Sequence, residues 1–245
     1  MSRIVDFHTH ILPGIDDGSE NIQQSLRMLT DLHRQGVTDV VLTPHYMSDR
    51  MELAAFTAKR DAAYQSLMEH QSEIPVSVYV ASETWFSPAL FNNDDLLPLC
   101  VENTRNLLVE FNWEDPFAEK TISRIVRLID HFDIHPILVH ADRYHNLSDK
   151  QMERLIREGC RIQINLSALT EGFSLRRRVL RWIQNGWVAA LGTDCHNLTT
   201  RPPLYEEGYQ VIRNKCGDMA GKMQSTMTSL LQNDVQQQDT FPFIW

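Results

Sequence analysis

Short apolar runs alternate with amphipathic stretches along almost the whole chain, and this alternation limits the possible folds more than any other sequence feature. Apolar runs predict seven strands, at residues 4–7, 39–42, 75–80, 106–109, 137–139, 162–164 and 188–191. Amphipathic stretches predict helices between and after them, near residues 19–36, 53–68, 118–132, 149–158, 175–185, 203–215 and 217–232. Strands separated by helices favour parallel pairing and a closed or nearly closed α/β barrel. A doubly wound open sheet is the alternative, but no Gly-rich phosphate fingerprint follows the first strand.

Composition narrows the class of protein further. The 245 residues are 42% apolar, which is enough for one large core, and we expect a single domain over residues 1–232 with a tail over residues 233–245. The net charge of -9 disfavours a nucleic-acid binder. No apolar run is long enough to cross a bilayer, and the N-terminus lacks the features of a signal peptide, so we expect no membrane insertion and a cytoplasmic location.

Potential metal ligands recur at the ends of the predicted strands. His8 and His10 stand at i and i+2 after the first strand, so both imidazoles point the same way and can hold one ion. A single His-x-His pair is a weak signal. Further histidines and carboxylates follow or end the other strands, however: Asp16 or Asp17, His45, Glu83, Glu110, His140, Asp194 and His196. Strand ends of such barrels converge on one face, so these residues predict a shared site.

The donor chemistry of these residues is mixed imidazole and carboxylate without a thiolate cluster. Such a set suits Mn, Fe, Zn or Mg and disfavours a structural zinc knot. The number of donors exceeds the need of one ion and fits two or three. The four cysteines have no close spacing and are expected to be free thiols.

Two arginines follow these ligand segments closely. Arg143 lies three residues past His140, and Arg201 lies five residues past His196. A guanidinium binds phosphate through a rigid bidentate fork. Most single arginines are solvated surface residues, but their position directly after ligand segments favours phosphate binding here.

Taken together, these segments resemble the PHP (polymerase and histidinol phosphatase) superfamily. More closely, the chain is similar to the manganese-dependent protein-tyrosine phosphatases of bacterial capsule and exopolysaccharide loci. The matching segments are Asp6-Phe-His-Thr-His10, Asp16-Asp17-Gly18, Thr43-Pro-His45, Glu83, Glu110-Phe111, Val139-His-Ala-Asp-Arg-Tyr144, Gln163-Ile-Asn165, Thr193-Asp-Cys-His-Asn197 and Arg201-Pro-Pro203. The segment after His45 and the C-terminal tail depart from that family's pattern.

The resemblance implies a distorted (β/α)7 TIM-like barrel of the PHP type, with three metal ions. One ion would be held by His8, His10, Glu83 and Asp194. Glu83 would bridge to a second ion with Glu110 and His140, and Asp17, His45 and His196 would hold the third, with Asp16 as the alternative to Asp17. Arg143 and Arg201 would bind the phosphate.

The resemblance further implies a substrate and a mechanism. The substrate would be phosphotyrosine on a bacterial tyrosine kinase that regulates polysaccharide synthesis. Clustered cations, expected to be Mn²⁺, lower the pKa of a bridging water, and the resulting hydroxide would attack the phosphorus. Trp85 and Phe86 could wall the aromatic substrate or belong to the core. The resemblance also allows a homo-oligomer, either a dimer or a ring.

Three other interpretations stay open from the sequence, and the fit to a fourth is expected to be a coincidence. A phosphatase of histidinol phosphate or of another small molecule would use nearly the same residues. An amidohydrolase also opens with His-x-His, but it would not need the two arginines, and no bridging lysine is evident at a strand end. A degenerate barrel could serve as a non-catalytic metal-binding scaffold. The segment from Cys195 to Arg201 fits Cys-x5-Arg, the pattern of cysteine-dependent phosphatases, but it lacks the glycines of a phosphate loop.

Overall fold

The structure, a computed structural model, describes residues 3–232. Within them lie nine strands: β1 (Val5–Thr9), β2 (Asp39–Leu42), β3 (His45–Met47), β4 (Ser77–Val80), β5 (Glu83–Trp85), β6 (Asn106–Glu110), β7 (His135–Leu138), β8 (Arg161–Asn165) and β9 (Ala190–Gly192). Seven α-helices accompany them: α1 (Ile22–Arg34), α2 (Leu53–Met68), α3 (Glu119–Phe132), α4 (Asp149–Arg157), α5 (Phe173–Gln184), α6 (Glu206–Cys216) and α7 (Met219–Leu230). The expected tail, residues 233–245, lies outside the described residues.

All strand pairs are parallel, as the alternation of strands and helices predicts. Three strands form one sheet in the order β1-β2-β4, and six form another in the order β3-β5-β6-β7-β8-β9. The chain is therefore a mixed α/β protein with parallel sheets. Parallel strands buried on both faces need near-continuous apolar sequence, and β6 shows this pattern with every residue buried.

Two of the seven predicted strands are each followed by a short additional strand that was not predicted. After β2 the chain passes through Thr43 and Pro44 and then resumes as β3, and a similar break at residues 81–82 separates β4 from β5. Pro44 has no N–H for a sheet hydrogen bond, which accounts for the first break. As a result His45 and Glu83, expected to follow strands, instead begin short new ones and pair with each other in register.

The first and last strands approach each other at their carboxyl ends. The backbone N–H of Asp194 donates to the carbonyl of His8 at 2.8 Å, and that of His10 donates to the carbonyl of Cys195 at 2.9 Å. These bonds fix the segment after β9 beside the end of β1. The predicted pairs His8/His10 and Asp194/His196 are thereby brought side by side.

Helix α7 lies against the opposite ends of the strands. Gln224 on α7 accepts from the backbone N–H of Val5 at the start of β1, at 2.9 Å. The side chain of Asn106, the first residue of β6, donates to the carbonyl of Leu230 at 2.8 Å. Among the described residues, no helix is both long enough and apolar enough to span a membrane.

Candidate metal centre

The predicted ligands converge at the carboxyl ends of the strands, in the interior of the protein. Most of them are almost fully buried: His8, His10, Glu83, Glu110, His140, Asp194 and His196. Charged or ionisable side chains are seldom buried unless they are paired or bind a cation. The cluster therefore needs a chemical explanation beyond packing.

The first group of donors comprises His8, His10, Glu83 and Asp194. The Nε2 atoms of His8 and His10 are 3.2 Å apart, and each lies 3.1 Å from Oε2 of Glu83. Oδ1 of Asp194 is 3.7 Å from His8 Nε2 and 3.4 Å from His10 Nε2. Donor atoms that bind one ion at roughly 2.0–2.2 Å stand about 3 Å apart when their bonds are perpendicular. The separations between these four donor atoms are therefore close to those expected of ligands that bind one ion.

A second group shares Glu83 with the first. Its Oε1 lies 2.8 Å from Nε2 of His140, which is also 3.4 Å from Oε1 of Glu110. On the other side, Oε2 of Glu83 is 3.1 Å from Nδ1 of His45, and the donors of His45, Glu83 and Glu110 all lie within 4.8 Å of one another. Glu83 is the one carboxylate common to both groups, which is the position of a bridging ligand.

A third group lies on the solvent side of the first. Oδ1 of Asp17 is 3.4 Å from Nε2 of His45 and 3.5 Å from Nε2 of His196. With His10 these donors also lie within 4.8 Å of one another. His45 therefore faces two groups, with Nδ1 toward Glu83 and Nε2 toward Asp17.

Asp16 and Asp17 occupy different layers of the cluster. Oδ2 of Asp16 is 2.9 Å from Nδ1 of His10 and accepts from the backbone N–H of His45 at 3.0 Å. Asp16 thus contacts the ring nitrogen of His10 that faces away from Glu83. Asp17, with a side chain 68% exposed, is the aspartate whose carboxylate reaches the donor atoms of His45 and His196. This geometry favours Asp17 over Asp16 as the ligand.

Buried amides hold several of these side chains in place. Oε1 of Gln163 accepts from the backbone N–H of His140 at 2.5 Å and lies 3.4 Å from Nδ1 of His8. Nδ2 of Asn165 donates to Oδ2 of Asp194 at 2.9 Å. Partners of this kind fix the orientation of metal-binding side chains. The sequence contained both residues in a matching segment, but their spacing gave no sign of these contacts.

Backbone conformation also marks the site. His140 and Asp194 both have positive φ, at 34° and 54°, a region that residues other than glycine rarely adopt. Strain of this kind persists only where surrounding contacts hold it, and it clusters at functional positions. In this chain it turns two predicted ligands toward the common centre.

Mutual pairing shifts the protonation of the cluster. Burial acts to raise the pKa of Glu83, but the imidazoles of His8, His10 and His140 hold it well below its usual range. Burial acts to lower the pKa of His140, but Glu110 and Glu83 raise it to about 9. Glu83 is therefore ionised, and a cation that binds here would take the place of the proton on His140.

The two predicted phosphate-binding arginines both reach Asp194. Nη2 of Arg143 is 2.7 Å from Oδ2 of Asp194, and Nη2 of Arg201 is 2.6 Å from the same oxygen. Arg201 also donates through Nη1 to Nε2 of His196 at 2.8 Å. Both guanidinium groups are partly exposed and line the cavity above the donors. They stand where a phosphate over the cluster would meet them.

That cavity has a volume of about 1190 Å³ and is open to solvent above the donor cluster. Its lining includes Glu83, Glu110, Asp194 and the two arginines, together with Trp85 and Trp113. Trp85 was one of the two aromatic residues suggested for the wall. Phe86, the other, is buried and stacks on Phe111 with ring centroids 4.9 Å apart, so it belongs to the core. The contribution of Trp113 was missed, because its position depends on the loop after β6.

The structure argues against the cysteine-dependent interpretation. Cys195 is fully buried, and burial raises the pKa of its thiol well above the usual range. A nucleophilic cysteine instead needs a lowered pKa and access to the substrate. Cys195 belongs to the core, and the fit to Cys-x5-Arg is a coincidence.

Comparison with known proteins places the chain in a family. The family model described as "Capsular polysaccharide synthesis, CpsB/CapC" matches residues 4–230. The chain belongs to the CpsB/CapC family. The match begins one residue before β1 and ends with the last residue of α7, so it includes every donor described above.

Two relatives have similar lengths and modest identity. The tyrosine-protein phosphatase CpsB of Streptococcus pneumoniae is 26% identical over 231 residues, covering 89% of this chain and 93% of that protein. The tyrosine-protein phosphatase CpsB of Streptococcus agalactiae serotype III is 25% identical over 228 residues, covering 85% and 89%. The resemblance noted from the sequence is thereby confirmed.

A solved structure shows the same fold. It comes from a study of YwqE from Bacillus subtilis and CpsB from Streptococcus pneumoniae, described as "unique metal-dependent tyrosine phosphatases". The TM-score is 0.80 at 23% identity, over 94% of this chain and 95% of that one. The agreement extends over nearly the whole of both chains.

Proposed function

We propose that this chain is a metal-dependent phosphatase that acts on phosphotyrosine in proteins. The observation that carries the proposal is the position of Arg143 and Arg201 beside a buried set of imidazoles and carboxylates. A metal cluster with two adjacent guanidinium groups suits the hydrolysis of a phosphate ester, which has charge to neutralise on several oxygens. Relatives named as tyrosine-protein phosphatases support the choice of phosphotyrosine among such esters.

We further propose that two to three divalent ions bind here, held by the three groups of donors. The first ion would bind His8, His10, Glu83 and Asp194, and the second would bind Glu83, Glu110 and His140. The third would bind Asp17, His45 and His196. Mixed nitrogen and oxygen donors fit Mn²⁺, which we propose as the ion, and they would also accept Fe, Zn or Mg.

The residues of the chain have distinct roles in the proposed reaction. Bound ions would supply an acidified water and neutralise charge on the phosphoryl group. Arg143 and Arg201 would hold the phosphate oxygens through bidentate hydrogen bonds and stabilise the charge that develops there. The leaving phenol has a pKa of about 10, so its departure needs less help from a general acid than that of an alkyl alcohol would.

The family description bears on the biological setting. The family description supports a substrate in polysaccharide synthesis, and we propose a bacterial tyrosine kinase of that process as the partner, in the cytoplasm. We also propose that residues 1–232 form one domain and that the seven strand positions complete a distorted (β/α)7 barrel. The two hydrogen bonds between the end of β1 and the segment after β9 support this closure. Assembly into a homo-oligomer remains part of the proposal.

A comparison of substrates tests the function. With Mn²⁺ present, we expect kcat/KM for a phosphotyrosine peptide to exceed that for histidinol phosphate by at least about tenfold, one factor of ten in rate being 1.4 kcal/mol of transition-state binding. A Cys195→Ser variant serves as the control and should keep its activity, because Cys195 is buried and protonated. A preference for histidinol phosphate, or loss of turnover with Cys195→Ser at normal metal content, would contradict the proposal.

A further inference from the structure

Trp113 is a large aromatic side chain exposed at the edge of the donor cluster. It lies in the loop after β6, three residues past Glu110, and 54% of its surface is exposed. Large apolar groups that stay exposed inside a cavity often mark a binding surface. Exposure alone would be weak evidence, but this indole also contacts two of the proposed functional residues.

One contact of Trp113 is with Glu110 and the other is with Arg143. The indole Nε1 donates to Oε1 of Glu110 at 3.1 Å. The guanidinium carbon of Arg143 lies over the ring, 5.7 Å from its centroid, within the range of a cation–π contact. Trp113 therefore links a proposed metal ligand to a proposed phosphate ligand. Trp113 also lines the cavity.

The contact with Arg143 places the indole beside a residue proposed to hold the phosphate. An aryl phosphate carries its ring one ester oxygen away from the phosphorus. Because Trp113 lies against Arg143, a phosphate held by Arg143 and Arg201 can carry its aryl ring next to the indole. Aromatic rings attract each other at centroid separations of about 4.5–7 Å. An alkyl phosphate in the same place offers no such ring.

We infer that Trp113 is a specificity-determining residue, which stacks on the phenyl ring of the substrate and so selects aryl over alkyl phosphate esters. The inference rests on the proposed phosphatase function and specifies its substrate class. Removing the indole should reduce binding of aryl ligands while leaving the phosphate contacts of the arginines in place.

Binding of phosphonates tests this selection without turnover. Dissociation constants of phenylphosphonate and methylphosphonate are measured by calorimetry on the Mn²⁺-loaded protein, with metal content determined for each variant. We expect Trp113→Leu to weaken phenylphosphonate about threefold to tenfold, the size of an aromatic pair, with little change for methylphosphonate. Trp113→Phe, which keeps a ring but loses the N–H bonded to Glu110, should retain most of the phenyl preference.

Two controls separate stacking from other effects. Phe173→Leu removes an even more exposed aromatic residue, 72% exposed and not part of the cavity lining, and should leave both constants unchanged. Trp85→Leu removes the other tryptophan of the lining. If Trp85→Leu instead of Trp113→Leu abolishes the phenyl preference, the inference is wrong.

The remaining outcomes also decide the matter. Equal weakening of both phosphonates in Trp113→Leu would mean that Trp113 acts only through Glu110 and Arg143, and it would overturn the inference. If Trp113→Leu binds less metal than the wild-type protein, the Trp113→Phe variant is used instead. Retention of the phenyl preference in Trp113→Phe would support stacking, and its loss would overturn the inference. Failure of the wild-type protein to hydrolyse a phosphotyrosine peptide would contradict the proposed function, whereas the phosphonate preference is read from binding alone.

Discussion

At the scale of single residues, the neighbouring aspartates Asp16 and Asp17 have different roles in the site although they are adjacent in the chain. Asp16 contacts the far nitrogen of His10, whereas Asp17 reaches His45 and His196. The two carboxylates point to different sides in this loop, so only Asp17 faces the proposed third ion. Asp16 instead orients the ligand His10. Substitution of such an orienting residue typically lowers metal affinity or activity by about 10–100-fold.

Substitution of each aspartate by asparagine distinguishes these roles. We expect Asp17→Asn to lose about one bound ion per chain, because a coordinating carboxylate is removed. Asp16→Asn should keep the number of ions and lower their affinity by about 10–100-fold, because it weakens the hydrogen bond to His10. Metal titration with elemental analysis measures both quantities. Glu20→Gln, an exposed acid in the same loop, is the matched control and should change neither. The reverse assignment would follow if Asp16→Asn lost the ion.

The ligand types could be predicted from the residues themselves, whereas their grouping followed only from the family resemblance, because local sequence patterns do not show which side chains meet. Histidines and carboxylates at successive strand ends can be recognised in the sequence, and the structure brings all of them together. That His45 faces two groups through its two ring nitrogens depends on the break after Pro44, which starts β3 at His45 itself. The supporting contacts of Gln163 and Asn165 arise from long-range packing that no local pattern encodes.

At the scale of elements, the close approach of β9 to β1 requires a glycine. A Cβ at Gly192 would lie 2.5 Å from the Cβ of His8 and 2.8 Å from Nε2 of Gln163. Real Cβ atoms do not come so near to other atoms, so a side chain here would push His8 away. Because Gly192 has no side chain, β1 can place His8 in the donor cluster.

Replacement of this glycine by alanine tests that packing. We expect Gly192→Ala to lower the free energy of unfolding by about 1–3 kcal/mol through overpacking, and to reduce metal content because His8 is displaced. Gly221→Ala is the control: Gly221 lies in α7 with no atom within 4 Å of the added Cβ, and alanine should stabilise that helix by about 0.5–1 kcal/mol. Urea unfolding measures both. Equal effects of the two substitutions would contradict this explanation.

The helices and strands were predictable to different degrees. Amphipathic helices such as α1 and α3 fall within one to three residues of their expected bounds, because their apolar spacing is a local property. The short additional strands β3 and β5 were not predicted. Pro44 was a visible signal for the first break, but β3 and β5 are three residues each and exist through pairing with distant strands. Such pairings depend on the whole fold.

At the scale of the whole molecule, parallel strands bring donors from distant parts of the sequence into one buried cluster. His8 and Asp194 are separated by most of the chain and meet within 3.7 Å. Membership of the CpsB/CapC family agrees with this arrangement, since its model spans every strand that contributes a donor. The central claim is that the cluster holds ions on which phosphotyrosine hydrolysis depends.

That claim is tested most directly by one measurement on one sample. Hydrolysis of a phosphotyrosine peptide is followed with and without added Mn²⁺, while the metal content of the same protein is determined. We expect activity to rise with bound metal, to disappear with EDTA and to return with Mn²⁺, because a bound ion would supply the attacking water. Full activity in a sample stripped of metal would contradict the account.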